Sequence, residues 1–322
     1  MRAVVLTGYG GPEVLAFQEV PLPDLRDSDV LVRVRAIGLN RSDLLQRSGG
    51  YVPYSPQKRE ILGLEFAGEV VESRHGWAQG ARVMGIVPGS GYAQYVSVYH
   101  SHLIAIPAQL SFEEAAAIPE VWETAFQLTH MIGHISAGQR VLIHAAASGV
   151  GTALIQLVKD AGALGYATCG SDDKVQKCLE YGAHAACNYK TTDFSEWLQS
   201  SKADLIFDPI LASNFSKNLA SLNLDGKWVV YGALGGISVD NFNFRDLLNK
   251  RASLEFTLLR TRTDEYKAEL VGEMQRKGVF EKFGSGVFKP VLHRVMDWGE
   301  VQEAHRILGA NEAVGKIVLT VD

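Results

Sequence analysis

Cysteine is scarce in this chain of 322 residues, which contains only Cys169, Cys178 and Cys187. So few cysteines exclude a disulfide framework and favour a reducing compartment, so we expect a cytoplasmic protein. The patterning predicts that Cys169 ends a strand, Cys178 lies within a helix and Cys187 begins another strand. Their even spacing would suit a metal site, but their positions in three separate elements favour structural cysteines.

Long apolar runs and clusters of basic residues are also missing. No segment has the length and hydrophobicity of a membrane span, and the opening MRAVVLTGYG indicates a strand and no signal peptide. Lysine and arginine number 31 against 36 aspartates and glutamates, a net charge of −5. This balance argues against a nucleic acid or an anionic membrane as the partner.

The patterning of the chain changes near residue 119. Earlier segments are short and strand-like, with glycine- and proline-rich turns, which predicts a mostly β domain. Ser111 and Glu114 then predict a capping box at a helix start. From residue 140, six apolar strands alternate with helical segments, which predicts an α/β fold with a doubly wound parallel sheet. After about residue 258 a long helical stretch leads into a tail that we expect to return to the first domain.

The segment RVLIHAAASGVG has the outline of a phosphate-binding turn. A dinucleotide needs backbone N–H groups at a helix N-terminus and small residues that allow close approach. The residues that fill this turn are Ser148, Gly149, Val150 and Gly151. Alanine and serine replace the first two glycines of the usual G-x-G-x-x-G. Because the turn follows an apolar strand and opens an amphipathic helix, we still expect dinucleotide binding.

The end of the second strand of this sheet indicates which dinucleotide binds. NAD sites place Asp or Glu there for the ribose 2′-hydroxyl, and that carboxylate would repel the 2′-phosphate of NADP. In this sequence, Cys169 and Gly170 occupy the position of that Asp or Glu. Asp172 and Asp173 follow, and we expect them to face solvent at the start of the next helix. The groups expected around a 2′-phosphate are Gly170, Ser171, Lys174 and Tyr189. We therefore predict NADP(H).

Ordered blocks over nearly the whole chain then indicate a family. They include GGPEVL, LNRSDLLQRSGGY, ILGLEFAGEV, AAAIPEVWETAFQL, SGVGTALIQL, LLRTR and QEAHRILGANEAVGKIVL. In this order they resemble the zinc-free quinone oxidoreductases of the medium-chain dehydrogenase/reductase superfamily. The resemblance implies a mostly β, GroES-like catalytic domain of residues 1–118 and 261–322 around a Rossmann NADP-binding domain of residues 119–260. It also implies a cleft between the two domains and a homodimer.

The positions of the family's catalytic zinc ligands have changed in this sequence. Zinc alcohol dehydrogenases have a cysteine where Asn40 stands and a histidine where Leu64 stands, and their cysteine-rich lobe is absent. Two histidine pairs remain, each without an evident third ligand: His100 with His102 on a predicted strand, and His130 with His134 on a predicted helix. We therefore expect no metal site.

Without zinc, the acceptor has to take up hydride with little Lewis-acid help. Quinones and α,β-unsaturated carbonyls meet this condition, because a phenolate or an enolate spreads the negative charge. The donors expected at the product oxygen are Asn40, Tyr51 and Ser148, and the resemblance implies that Asn40 faces the nicotinamide. We expect Asp43 to orient nearby loop groups or to cap a helix.

The resemblance implies further cofactor contacts. They are Thr124, Gly232, Ala233, Leu258 and Lys316, with Leu258 closing the sixth strand and Lys316 approaching the phosphates. Three functions stay open at this point. The leading one is an NADPH:quinone reductase for small ortho-quinones. The others are an NADPH-dependent reductase of α,β-unsaturated carbonyls and a non-catalytic, crystallin-like NADPH-binding protein.

Overall fold

A computed structural model describes residues 1–50, 61–240 and 242–322 of the chain. Its strands are β1 (Arg2–Leu6), β2 (Leu15–Glu19), β3 (Asp29–Gly38), β4 (Glu65–Val70), β5 (Arg82–Ile86), β6 (Tyr95–Tyr99), β7 (Leu103–Ala105), β8 (Arg140–Ile143), β9 (Leu164–Cys169), β10 (Ala185–Asn188), β11 (Ala203–Asp208), β12 (Leu222–Val230), β13 (Ser253–Phe256), β14 (Leu292–Asp297) and β15 (Lys316–Thr320).

The α-helices of the described residues follow, and the contacts divide the chain into two units. The helices are α1 (Arg41–Arg47), α2 (Phe112–Ala115), α3 (Pro119–Phe126), α4 (Gly149–Asp160), α5 (Asp172–Glu180), α6 (Phe194–Trp197), α7 (Phe215–Ser221), α8 (Arg245–Lys250), α9 (Asp264–Arg276), α10 (Val279–Gly284) and α11 (Val301–Gly309). One unit is Met1–Glu123 with Arg260–Asp322, and the other is Thr124–Leu259. Within the described ranges, every helix falls short of the length and hydrophobicity that a membrane crossing requires.

The unit that contains both chain ends is built on a mixed sheet with the order β14-β15-β3-β4-β5-β7. β6 also pairs with β3, and β1 and β2 form a separate antiparallel pair. Alternating side chains of β3, such as Val30, Val32 and Val34, are buried on one face, as expected for a sheet with one packed face. The C-terminal tail returns to this sheet, because β15 lies antiparallel beside β3.

The second unit contains the predicted parallel sheet. All six predicted strands form, and their order β10-β9-β8-β11-β12-β13 with parallel pairing is that of a doubly wound fold. Near-continuous apolar runs such as Val141–Ile143 are buried on both faces by helices. The predicted fold class is confirmed.

The structure also contains the capping box that the sequence predicts at the start of α2. Ser111 Oγ accepts a hydrogen bond from the N–H of Glu114, and the Glu114 carboxylate accepts one from the N–H of Ser111. This reciprocal pair is the predicted capping box, although α2 is only a short helix. The three cysteines are free, buried thiols. Cys169 ends β9 and Cys178 lies within α5 as predicted, whereas Cys187 lies inside β10 and does not begin it.

Three local predictions are wrong. His100 and His102 lie in a 3₁₀ turn that separates β6 from β7, so they do not share a strand face. His134 follows the helical segment that contains His130 and has a positive φ of 49°, which removes the predicted i, i+4 pair. β13 ends at Phe256, so Leu258 lies beyond the strand that it was expected to close.

Candidate functional site

The turn between β8 and α4 has the geometry of a phosphate-binding turn. A Cβ on Gly151 would lie 2.5 Å from the carbonyl oxygens of Ala145 and Ala146, so a glycine is needed for the helix to start this close to the strand. Gly149 and Val150 are the first helical residues, and their N–H groups have no acceptor within the helix. The helix itself therefore leaves these two donors unused at the positive end of its dipole, where a phosphate can accept from them.

Ser148 is the N-cap of α4 and is exposed. Its Oγ accepts a hydrogen bond from the N–H of Gly151 at 3.1 Å. A hydroxyl that accepts one bond still has its own hydrogen to donate. Ser148 can therefore stabilise the helix start and donate to a ligand oxygen at the same time.

The four residues predicted around a 2′-phosphate form one corner at the carboxyl ends of β9 and β10. A Cβ on Gly170 would lie 2.8 Å from Tyr189 Oη, so the phenol passes directly over this glycine. Ser171 is the N-cap of α5, and its Oγ accepts a hydrogen bond from the N–H of Lys174. The carboxylate of Asp172 accepts a hydrogen bond from Asn188 Nδ2 at 2.9 Å. Asn188 thus holds the Asp172 carboxylate at the end of β10.

A buried polar network supports the strand ends at the point where the sheet order reverses. The Asp208 carboxylate accepts hydrogen bonds from Trp228 Nε1 and Asn218 Nδ2. The Asn218 oxygen lies 2.6 Å from His144 Nε2, and His144 Nδ1 lies 2.8 Å from Thr168 Oγ1. Burial lowers the pKa of His144, so the neutral ring donates through Nε2 and accepts through Nδ1. This network links β8, β9, β11 and β12 beneath the predicted site.

The other cofactor contacts predicted in this unit are two residues after β12, one residue on α3 and one residue after β13. Gly232 and Ala233 follow β12, and a Cβ on Gly232 would lie 3.0 Å from the carbonyl oxygen of Pro209. Thr124 lies on α3 and is half-buried, and Leu258 is exposed. The buried Tyr231 hydroxyl, beside Gly232, has no hydrogen-bond partner among the described residues. The end of β12 thus combines a close backbone approach with an unsatisfied donor.

In the other unit, sheet register brings together Asn40, Glu65 and Lys316. β3 and β15 are antiparallel with Gly38 opposite Val318, so Lys316 lies opposite Asn40. Glu65 begins β4 on the other side of β3. A Cβ on Gly38 would lie 2.5 Å from Glu65 Oε1. The glycine therefore makes room for Glu65 to reach Asn40.

These three side chains form a closed, buried hydrogen-bond triad. Lys316 Nζ donates to Glu65 Oε1 at 2.6 Å and to Asn40 Oδ1 at 2.8 Å, and it also contacts the carbonyl oxygen of Leu39. Asn40 Nδ2 donates to the same Glu65 Oε1 at 2.8 Å. Glu65 is fully buried, and the Lys316 side chain is 4% exposed. The contacts favour a structural role for Lys316 beside Asn40, and its predicted phosphate contact stays a prediction.

A second hydrogen-bond chain holds the backbone at Asn40. Asp43 Oδ2 accepts from the N–H of Asn40 at 2.9 Å and from Tyr92 Oη at 3.0 Å. Tyr92 Oη lies 3.1 Å from His305 Nε2, and Arg47 Nη1 lies 3.2 Å from His305 Nδ1. Burial, reinforced by Arg47, lowers the pKa of His305 to about 3. The neutral ring then accepts from Arg47 and donates to Tyr92, so all the hydrogens point toward Asp43. This agrees with the expected orienting and capping role of Asp43.

Two further carboxyl groups lie near the triad on α3. The N–H of Glu120 donates to Glu65 Oε2 at 2.9 Å. Burial, followed by repulsion from Glu65, raises the pKa of Glu120 to about 7. Glu123 is fully buried, its carboxyl oxygens have no partner among the described residues, and burial raises its pKa well above 4.5. The fold therefore favours the neutral form of both groups.

The raised pKa of Glu120 gives the stability of the protein a pH dependence. Unfolded Glu120 loses its proton near 4.5, whereas the folded protein keeps it up to about 7. The folded state binds more protons in this window, so the contribution of Glu120 to the free energy of unfolding falls as pH rises. Glu120→Gln is expected to raise the free energy of unfolding by about 1–3 kcal/mol above the window and to leave it unchanged below. Urea unfolding of the parent protein and the variant, once below pH 4.5 and once above pH 7, measures this difference. An equal effect of the substitution at the two pH values would contradict it.

One predicted catalytic residue, Tyr51, lies outside the described residues. Within the described part of the chain, no group of three or more His, Cys, Asp or Glu side chains is arranged to hold a metal ion. Sequence analysis missed the roles of Glu65, Asp208 and His144. Each is a single polar residue within or directly after an apolar strand, and this pattern signals a buried group that needs a partner.

The sequence matches two protein-family profiles. Residues 26–108 match the alcohol dehydrogenase GroES-like domain, and residues 149–276 match the zinc-binding dehydrogenase family. A quinone oxidoreductase of Pongo abelii is 30% identical over 99% of this chain and 97% of its own length. The Escherichia coli quinone oxidoreductase complexed with NADPH is 29% identical, covers 100% of both chains and has a TM-score of 0.87. An NAD-dependent alcohol dehydrogenase is 28% identical over 100% of both chains, with a TM-score of 0.88.

A GroES-like mixed sheet and a Rossmann-type parallel sheet in one chain define a two-part dehydrogenase architecture. The chain belongs to the medium-chain dehydrogenase/reductase superfamily, and quinone oxidoreductases are among its relatives over nearly the full length. It is an NAD(P)-dependent oxidoreductase of this superfamily.

Proposed function

We propose that the protein is an NADPH-dependent, metal- and flavin-free reductase of small quinones. The observation that carries the proposal is the triad at the place of the zinc-binding cysteine. There, Asn40 is held by Glu65 and Lys316, and a carboxamide is a poor zinc ligand compared with a thiolate. An acceptor that spreads negative charge over an aromatic ring suits such a site, because it needs little Lewis-acid help.

The choice of NADP(H) rests on the corner at the ends of β9 and β10. No carboxylate follows Cys169 directly, and the Asp172 carboxylate is bonded to Asn188. The Ser171 hydroxyl keeps its hydrogen for a ligand while its oxygen caps α5. With the ammonium of Lys174 and the phenol of Tyr189, it offers charge-assisted hydrogen bonds to a phosphate. The related E. coli enzyme is complexed with NADPH, which supports this choice.

The residues of this chain fit a bound dinucleotide in three groups. When bound, reduced nicotinamide supplies a hydride. The pyrophosphate contacts are Ser148, Gly149, Val150 and Gly151, and the 2′-phosphate contacts are Gly170, Ser171, Lys174 and Tyr189. The contacts proposed for the nicotinamide half are Asn40, Thr124, Gly232, Ala233 and Leu258. We assign NADP binding to residues 119–260 and the acceptor to residues 1–118 and 261–322.

The reduced acceptor oxygen needs hydrogen-bond donors and then a proton. Ser148 has one hydrogen to donate while its oxygen accepts the Gly151 N–H, and we propose that this hydrogen goes either to the acceptor oxygen or to the pyrophosphate. Tyr51 is the second proposed donor. Asn40, the third donor expected from the sequence, directs its amide hydrogens toward Glu65 and Gly38.

Steady-state oxidation of NADPH and NADH with different acceptors tests the proposed function. We expect rapid oxidation of NADPH with an ortho-quinone and weak use of NADH. Rapid oxidation of NADPH with only an α,β-unsaturated aldehyde would reject the quinone as the substrate class and support NADPH as the cofactor. Tight NADPH binding without turnover on either acceptor would favour the non-catalytic, crystallin-like alternative.

We also propose that the protein is a homodimer that associates along β13. This strand is an edge of the parallel sheet, and large apolar side chains around it are exposed: Phe244, Leu248, Phe256 and Leu258. An exposed edge with an apolar patch favours pairing with another chain.

Phe256→Asp is therefore expected to convert the dimer into a monomer, because the new carboxylate would be buried in the apolar interface proposed along β13. Sedimentation velocity measures the change. Leu22→Asp is the matched control, since Leu22 is also an exposed apolar residue but lies far from β13 in the sequence. A dimer that survives Phe256→Asp, or a parent protein that is monomeric, would contradict the proposed interface.

A further inference from the structure

The partners of Asn40 fix which end of its carboxamide is oxygen and which is nitrogen. An ammonium only donates hydrogen bonds, so the atom that faces Lys316 Nζ at 2.8 Å is Oδ1. An ionised carboxylate only accepts, so the atom that faces Glu65 Oε1 at 2.8 Å is Nδ2. The reverse orientation would set the amide N–H groups against the ammonium and the oxygen against the carboxylate. The ion pair thus selects one of two orientations that have almost the same shape.

This orientation determines what Asn40 has left for a ligand. One hydrogen on Nδ2 is used by Glu65, and the other points to the carbonyl oxygen of Gly38 at 3.4 Å. Oδ1 can accept two hydrogen bonds. Lys316 Nζ supplies one of them, and the N–H of Asp43, which also faces the start of this helix, donates to the backbone carbonyl oxygen of Asn40 at 3.0 Å. The remaining capacity of the side chain is therefore that of an acceptor.

We propose that Lys316 and Glu65 are positioning residues that hold the Asn40 carboxamide in this orientation, so that Asn40 meets the bound ligand as a hydrogen-bond acceptor. Its partner on the ligand is an O–H or N–H group. The inference rests on the proposed function and revises one part of it, because Asn40 then does not donate to the acceptor oxygen. Ser148 and Tyr51 remain as the proposed donors.

Two sources of such a donor exist in the proposed reaction. The nicotinamide riboside half of the cofactor carries hydroxyl and amide N–H groups, and the hydroquinone product carries hydroxyl groups. A quinone itself has only acceptors. NADPH affinity in the absence of an acceptor reports on the first source, and inhibition by the hydroquinone reports on the second.

An exchange of side chains between positions 40 and 65 separates an acceptor from a donor. In Asn40→Asp/Glu65→Gln, the carboxylate and the amide trade places, so the net charge and the partner of Lys316 are kept. Position 40 then has acceptors only. Asn40→Leu removes both donor and acceptor at nearly the same volume and leaves the Lys316–Glu65 pair intact. Thermal unfolding of each variant checks that it is folded.

We expect Asn40→Leu to weaken either NADPH or hydroquinone binding by about tenfold, the effect of one hydrogen bond. The exchange variant should restore most of the lost affinity. Two results would overturn the proposal. An exchange variant that binds as weakly as Asn40→Leu would mean that Asn40 donates, and unchanged binding of both ligands to Asn40→Leu would mean that it touches neither.

A measurement without any ligand keeps the orientation testable if the variants do not fold or if the proposed function fails. The side-chain amide hydrogens of Asn40 in the parent protein should exchange slowly with solvent in NMR spectra, because Glu65 and Gly38 hold them. Exchange as fast as that of an exposed asparagine such as Asn249 would overturn the proposed positioning. Slow exchange in a protein that does not bind NADPH would reject the proposed function and support the orientation.

Discussion

Lys316→Met is expected to lower the free energy of unfolding by about 3–5 kcal/mol, the usual cost of removing one partner from a buried ion pair. Lys316 Nζ lies 2.6 Å from Glu65 Oε1, and neither side chain is more than 4% exposed. Without the ammonium, the Glu65 carboxylate stays buried, and its remaining donors in the described part of the chain, Asn40 Nδ2 and the N–H of Glu120, are neutral. Urea unfolding measures the loss.

The double variant Glu65→Gln/Lys316→Met shows whether the effect comes from the unpaired charge. It removes both charges, so it is expected to recover most of the lost stability. Lys177→Met is the matched control, because Lys177 pairs with Glu180 at the surface, where an ion pair contributes about 0–1 kcal/mol. A Lys316→Met variant that is as stable as Lys177→Met would contradict the buried triad.

Ser171→Gly/Lys174→Ala is expected to weaken NADPH binding by about 100-fold and to leave NADH binding nearly unchanged. The two side chains are proposed to make charge-assisted hydrogen bonds to the 2′-phosphate, each worth about 1.5–3 kcal/mol. NADH lacks this phosphate and so loses no contact. Glycine is chosen at position 171 because it keeps most of the N-cap stability that alanine would lose. Fluorescence titration with each cofactor gives both affinities.

The control for this pocket is Lys177→Ala, which removes a lysine from the exposed side of the same helix. It should leave the affinity for both cofactors near that of the parent protein. Equal losses of NADPH and NADH affinity in Ser171→Gly/Lys174→Ala would show that the variant damages the whole site. An unchanged NADPH affinity in Ser171→Gly/Lys174→Ala would mean that these two side chains do not bind the 2′-phosphate.

The parallel sheet could be predicted because its signals are local. Each strand is a short apolar run, and each helix that follows has a cap or a periodic apolar face, as in Ser148 before α4 and Ser171 before α5. Handedness and connection rules then leave few ways to arrange six such strands. The pattern of residues 93–107 predicts one strand, whereas the structure has two, β6 and β7, because the 3₁₀ turn His100–His102 interrupts an otherwise continuous apolar pattern.

The triad could not be predicted, because its members meet through long-range sheet register. Asn40 and Lys316 are separated by 276 positions in the chain. Nothing in the local pattern around Lys316 states which strand β15 pairs with or where the pairing begins. One residue of register shift would turn Lys316 to the opposite face of the sheet. The family resemblance pointed to Asn40, whereas its partners required the structure.

The anaerobic reaction of NADPH with an ortho-quinone, catalysed by protein that has been treated exhaustively with a metal chelator, tests the proposed metal- and flavin-free hydride transfer. We expect one NADPH to be consumed for each hydroquinone formed, at the rate of the untreated protein, with no flavin absorbance in the purified sample. Activity that is lost on chelation and restored by zinc, or that follows a copurifying flavin, would contradict it.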